Sequence, residues 1–147
     1  QGRFTMSSQG LEVIDHTVHL THLWINELSD RLGWDSKRDT LRLLRATLRQ
    51  TRDHLDSNES AQFAAQLPIL IRGMYYEGWI PAQTPTRDRK VEHFVAVIEE
   101  QVGDAAGFRG AEDITIVFQL ITDKISSGEI KDIRASLPEA ICALWPD

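Results

Sequence analysis

Asp53-His54-Leu55-Asp56-Ser57-Asn58-Glu59, followed by Ala65-Gln66-Leu67-Pro68, returns 70 residues later as Asp123-Lys124-Ile125-Ser126-Ser127-Gly128-Glu129, followed by Ala135-Ser136-Leu137-Pro138. Each copy places an oxygen-bearing side chain three residues before a glutamate, the pattern of a helix-capping box. Each then carries a Leu-Pro step, where one helix must stop and the next can start, because proline is tolerated in a first turn. Outward from these stretches the same offset pairs Gly33 with Gly103, Leu28 with Ile98, Ile25 with Val95, Trp24 with Phe94, Ile71 with Ile141 and Tyr75 with Trp145. Helical periodicity alone does not align breaks, caps and glycines together, so the chain reads as an internal duplication.

The expected fold is therefore all-α: two tandem copies of a roughly four-helix unit, packed into one compact pseudo-twofold bundle that buries the apolar face of each. Unit 1 spans about 24–75, a connector 76–93, and unit 2 about 94–145, within a single helical domain over 11–147. Residues 1–10 read as a cloning remnant, Gln1-Gly2-Arg3-Phe4-Thr5, and a loose N-terminus starting at a native Met6.

The spacing of apolar residues fills in the helices. Leu11, Ile14, Val18, Thr21, Trp24, Ile25, Leu28 and Leu32 follow the i, i+3, i+4, i+7 rule, which predicts one long helix or two abutting ones, closed by Gly33. Asp35 or Ser36 caps a second helix, with Leu41, Leu44, Leu48, Thr51 and Leu55 as its buried stripe. A short helix through Phe63 and a Pro68-led helix to Tyr76 complete the first unit. Gly78, Pro81 and Pro85 punctuate the connector. Helices built on Val91, Phe94, Ile98 and Val102, then on Ile114, Val117, Phe118, Ile121 and Ile125, follow. Leu137-Pro138 opens a last helix reaching Trp145. The β-prone run Ile114–Phe118 is assigned to a helix because its apolar spacing continues to Ile125.

Composition bounds the function. The formal net charge is −6, which argues against bulk affinity for nucleic acid or anionic membranes. No apolar run approaches the roughly 20 residues of a spanning helix, and no secretory signal is visible. The single cysteine, Cys142, cannot form an intrachain disulfide and suits a reducing cytoplasm.

Several stretches carry a family resemblance: Leu43-Leu44-Arg45-Ala46-Thr47-Leu48, Arg52-Asp53-His54-Leu55, Ala64-Ala65-Gln66-Leu67-Pro68, Arg72-Gly73-Met74-Tyr75-Tyr76-Glu77-Gly78-Trp79, Gly128-Glu129-Ile130, Leu137-Pro138 and Leu144-Trp145. Together they resemble the bacterial domain-of-unknown-function family 2267, over nearly all of the chain from Leu11. The resemblance implies a small bacterial helical protein and supplies no activity, cofactor or catalytic residue. The sequence departs from the family pattern at Asp39-Thr40, where that pattern has an alanine-aromatic pair.

Function is sought in what the duplication leaves unexplained. Arg38, Arg42, Arg45, Arg49 and Arg52 line one side of the second helix, while their counterparts are Phe108, Glu112, Thr115, Gln119 and Thr122. This stripe reads either as a surface for anions or an acidic partner, since guanidinium grips carboxylate and phosphate, or as a solvated face with local ion pairs. Arg72, Tyr75, Tyr76, Glu77 and Trp79 read either as a ligand or partner patch or as rings plugging the junction of the halves. His16, His19 and His22, near Asp15 and Glu12, drift around their helix and lack the spacing of a zinc motif, so no metal site is assigned to them.

Nothing points to catalysis. There is no Gly-rich phosphate loop and no Gly-x-Ser-x-Gly elbow. Cys142 reads as packing, and Glu99, Glu100, Glu112 and Asp113 as solvated faces. The leading functional expectation is a non-enzymatic protein-interaction module without cofactors, self-associating or binding an acidic protein through the arginine face. The alternative is a small-ligand binder with a pocket at the junction of the repeats. A third reading, nucleic-acid or anion binding through the stripe, is disfavoured for nucleic acid by the net charge.

Overall fold

The computed structural model describes residues 10–105 and 107–146. Within them the chain forms α1 (Glu12–Leu32), α2 (Lys37–Asp53), α3 (Ser57–Ala65), α4 (Ile69–Tyr76), a 3-10 turn (Pro81–Gln83), α5 (Val91–Val102), α6 (Ala111–Lys124), α7 (Ser127–Ser136) and α8 (Glu139–Cys142). No strand occurs among the described residues. The expected cloning remnant lies outside them.

Local chemistry sets the helix ends. Gly33 adopts a left-handed φ of 73°, and its N–H and that of Trp34 both reach back to the Ser29 carbonyl, closing α1 as one continuous helix. Ser36, rather than Asp35, caps α2 by accepting from the Asp39 N–H. Asp56 and Ser126 cap α3 and α7 by accepting from the N–H of Glu59 and of Glu129. Pro68 and Pro138 sit one residue ahead of α4 and α8, outside the first turn rather than in it. Several ends fall 70 residues apart: Leu32 and Val102 close α1 and α5, Ser57 and Ser127 open α3 and α7, and Ile69 and Glu139 open α4 and α8. The last helix is shorter than expected, stopping at Cys142, with hydrogen-bonded turns carrying the chain to Trp145.

α2 is the central element. It packs most extensively on α5 and also touches α1, α4 and α6. For that reason its buried arc is wider than one leucine stripe: Thr40, Leu43, Ala46 and Thr47 are buried alongside Leu44, Leu48 and Thr51. Leu41, expected in the stripe, is instead half-exposed. Thr40, at the departure from the family pattern, is fully buried and donates its hydroxyl to the Ser36 carbonyl at 2.9 Å.

The core is continuous across the described chain. Tyr75 and Trp145, 70 residues apart, are both fully buried. Tyr75 meets the edge of Phe63 at 5.4 Å and exchanges a 2.6 Å hydrogen bond with Ser60, so its hydroxyl is satisfied. Trp145 stacks on Phe118 at 4.3 Å and donates to the Thr122 hydroxyl. No described helix is long and apolar enough to cross a membrane.

α1 extends beyond the expected repeat unit at its N-terminal end. Its last twelve residues match α5 at the constant offset, but Glu12 to Leu20 extend before the matched part. Leu11 and Ile14, expected to be buried, are 45% and 50% exposed because this extension has few neighbours to pack against. Val13 and Leu23 are exposed as well.

Candidate functional site

The arginine stripe becomes a cleft. Its spacing carries Arg38, Arg42, Arg45 and Arg49 along one side of α2, where they line an open groove of about 460 Å³ with Leu41, Ala46 and Gln101 of α5. Arg52 is not part of it: it is only 5% exposed and lies beneath.

Each guanidinium has a different environment. Arg52 donates to the carbonyls of Tyr75 and Glu77 at 2.9 and 2.8 Å and pairs with Asp53. It thereby satisfies carbonyls left open at the end of α4. Arg45 and Arg49 share one carboxylate, Glu77 Oε1, and Arg49 also donates to the Met74 carbonyl. Arg42 donates to the Val102 carbonyl at the end of α5 and lies 3.8 Å from Asp39. Arg38 is exposed.

Positive charge exceeds negative in this groove. Burial first, then the neighbouring charges of Arg45 and Arg52, push the Arg49 pKa below its ordinary value, against the opposing pull of Glu77. The Arg45 Nε is buried without an acceptor. An added anion would relieve both conditions.

The stripe and the aromatic segment, treated as separate in the sequence, meet at Glu77. Tyr76 and Trp79 lie beside it with ring centres 5.2 Å apart, both half-buried, and Tyr75 lies behind them in the core. None of these three rings lines the arginine groove. Arg72 faces elsewhere, donating to the carbonyls of Ala64, Ala65 and Leu67 where α3 ends.

His16 and His22 are exposed on α1, Asp15 is buried, and these residues do not form a metal-competent cluster. Cys142 is half-buried against the core. Asp113, expected on a solvated face, is instead fully buried and accepts from the backbone N–H and the guanidinium of Arg109. Asp113 is in the first turn of α6, and Arg109 four residues earlier pairs with it there, which offsets the burial of its charge.

Two features were missed from the sequence. A second groove of about 450 Å³ is lined by Val13, Leu20 and Leu23 of α1 with Leu67 and Ile69 near the start of α4. The unmatched N-terminal turns of α1 were the available signal. The other is a meeting of acids: Glu59 on α3 with Glu129 and Asp132 on α7, one carboxylate oxygen of each lying within 4.8 Å of the other two. The capping-box pattern places both glutamates at helix ends. Burial first, then the Glu59 hydrogen bond and charge and the charge of Asp132, push the Glu129 pKa up to about 7.

The family model described as "Uncharacterized conserved protein (DUF2267)" matches residues 21–144. No curated protein matches the chain. The chain belongs to the DUF2267 family.

Proposed function

We propose that this DUF2267 member is a non-enzymatic protein-interaction module that docks an acidic segment of a partner in the α2 arginine groove. The observation that carries this is the groove itself. Four arginines line it beside Leu41 and Ala46, on a chain whose overall charge is −6. The undersupply of carboxylate there, with Glu77 shared by two guanidiniums, supports an acidic occupant. The apolar floor suits a peptide with a few alkyl side chains better than a bare anion. In this reading the two halves are copies of one scaffold, and only the first carries the arginines. Bacterial origin and a reducing cytoplasm, which suits the free thiol of Cys142, belong to the same reading.

Fluorescence anisotropy with a labelled Asp/Glu-rich peptide containing leucines tests the proposal. Binding is expected at low salt and should weaken at least tenfold in the double variant Arg38→Glu, Arg42→Glu, and with rising NaCl. Arg38 and Arg42 are chosen because neither holds the end of α4. Equal binding by wild type and variant, or none at low salt, overturns it. Tight binding of duplex DNA with a steep salt slope would favour the nucleic-acid reading instead.

Self-association is a second reading, favoured by the exposed apolar groove between α1 and α4.

A further inference from the structure

The acids at the α3–α7 contact are arranged unlike a solvated face. Glu59 and Glu129 occupy the same place in their capping boxes, and their helices pack directly on each other. A capping-box glutamate ordinarily turns back to the N–H of its own cap residue. At α7 that N–H is already taken: Ser126 donates it to Gln66 Oε1 at 2.8 Å. Glu129 points instead towards Glu59.

Glu129 is only 7% exposed, and no basic or amide donor reaches its buried Oε2; the group its carboxyl meets is another acid, Glu59. Glu59 Oε2 is buried and unpartnered as well. The charges that act on Glu129 are those of Glu59 and Asp132, both acidic. Asp132 lies three residues after Glu129, on the same side of α7, and is exposed at the rim. Buried, unpaired carboxylate oxygens are costly unless a counter-charge meets them.

We propose that Glu59, Glu129 and Asp132 form a binding site for a hard divalent cation of the calcium type, bridging α3 and α7. The ligand set is all oxygen, which selects hard cations over thiolate- or imidazole-seeking metals. Calcium–oxygen distances of about 2.3–2.6 Å allow ligands on opposite sides of one ion to lie about 4.6–5.2 Å apart. One carboxylate oxygen from each residue lies within 4.8 Å of the other two, so small side-chain adjustments bring all three onto one ion with the helices in place. Magnesium, at about 2.0–2.1 Å, demands a tighter octahedron and would bind more weakly. The exposed rim leaves the remaining positions to water, so the site is of modest affinity. By joining α3 to α7 the ion would brace one half of the chain on the other.

Thermal unfolding of the full chain, followed by circular dichroism at about pH 8, above the value of about 7 to which Glu129 is pushed, provides the test. After chelator treatment, CaCl2 is titrated to about 10 mM, the range of weak calcium sites, against NaCl of matched ionic strength. Wild type should show a saturable rise in Tm of about 4 °C at tenfold excess over Kd, larger than with MgCl2. Asp132→Asn, at the exposed rim, should weaken the apparent affinity at least tenfold, and Glu129→Gln should abolish the rise. Overturning results are no rise beyond the NaCl control, or the same rise in both variants. If the two glutamates simply share a proton, Glu129→Gln raises Tm and CaCl2 leaves wild type unchanged, which also overturns the proposal.

Discussion

Arg52 donates to the carbonyls of Tyr75 and Glu77 from a position that is 5% exposed. Its spacing places it in the arginine stripe, yet the structure assigns it to the end of α4 rather than to the groove. Its spacing along α2 is legible; the carbonyls 23 and 25 residues further on are not. Arg52→Ala would leave those two carbonyls and Asp53 without their donor. Urea unfolding should show a loss of about 2–4 kcal/mol. Arg38→Ala, at an exposed position, should change stability by less than about 0.5 kcal/mol. Equal effects at the two positions would mean that Arg52 is not a structural cap.

At the scale of elements, α1 is held to α6 by a small ion network. Arg31 pairs with Glu27 and with Asp123, both at 2.6 Å, and Lys124 pairs with Glu27 at 2.8 Å. The hydrogen bond from Lys124 and the bond from Arg31 hold the Glu27 carboxyl below its ordinary value, against the effect of burial. A lowered folded pKa means that the unfolded chain binds the extra proton first on acidification. The contribution is thus fully present above the ordinary carboxylate range and lost as pH falls through the lowered folded value. Because these groups are partly exposed, the term is small, below about 1 kcal/mol. Glu27→Gln should therefore be slightly less stable than wild type at neutral pH, and the gap should close by about pH 3. A gap that persists in acid would assign the effect to packing rather than charge. The helices in this network were expected from periodicity; their pairing was not, since Arg31 and Asp123 are far apart in sequence.

For the whole molecule, the asymmetry between halves matters most. The first half has the arginine groove and the extended α1, whose exposed Val13 and Leu23 face Ile69 across an apolar groove. A second copy docking there, face to face, would bury this surface under twofold symmetry. Light scattering should then show a dimer at about 100 μM, in the range of a weak interface, and the double variant Val13→Glu, Ile69→Glu should be monomeric. Monomeric wild type at that concentration removes self-association and leaves the acidic-partner reading intact.

What the sequence alone determined is everything governed by neighbours within a turn or two. The helices, the Gly33 cap, a cap at Asp35 or Ser36, the oxygen caps at Asp56 and Ser126, the Leu-Pro breaks and most of the core all depend on spacings of three to four residues. The tertiary structure alone decided which charges meet. It sent Arg45 and Arg49 to Glu77, buried Arg52 and Asp113, left Leu41 and Ile14 out of the core, and turned Glu59 and Glu129 towards each other. The physical reason is that helix formation is a local balance, whereas burial and ion pairing depend on which faces pack together. Periodicity marks those faces as apolar without saying which face meets which.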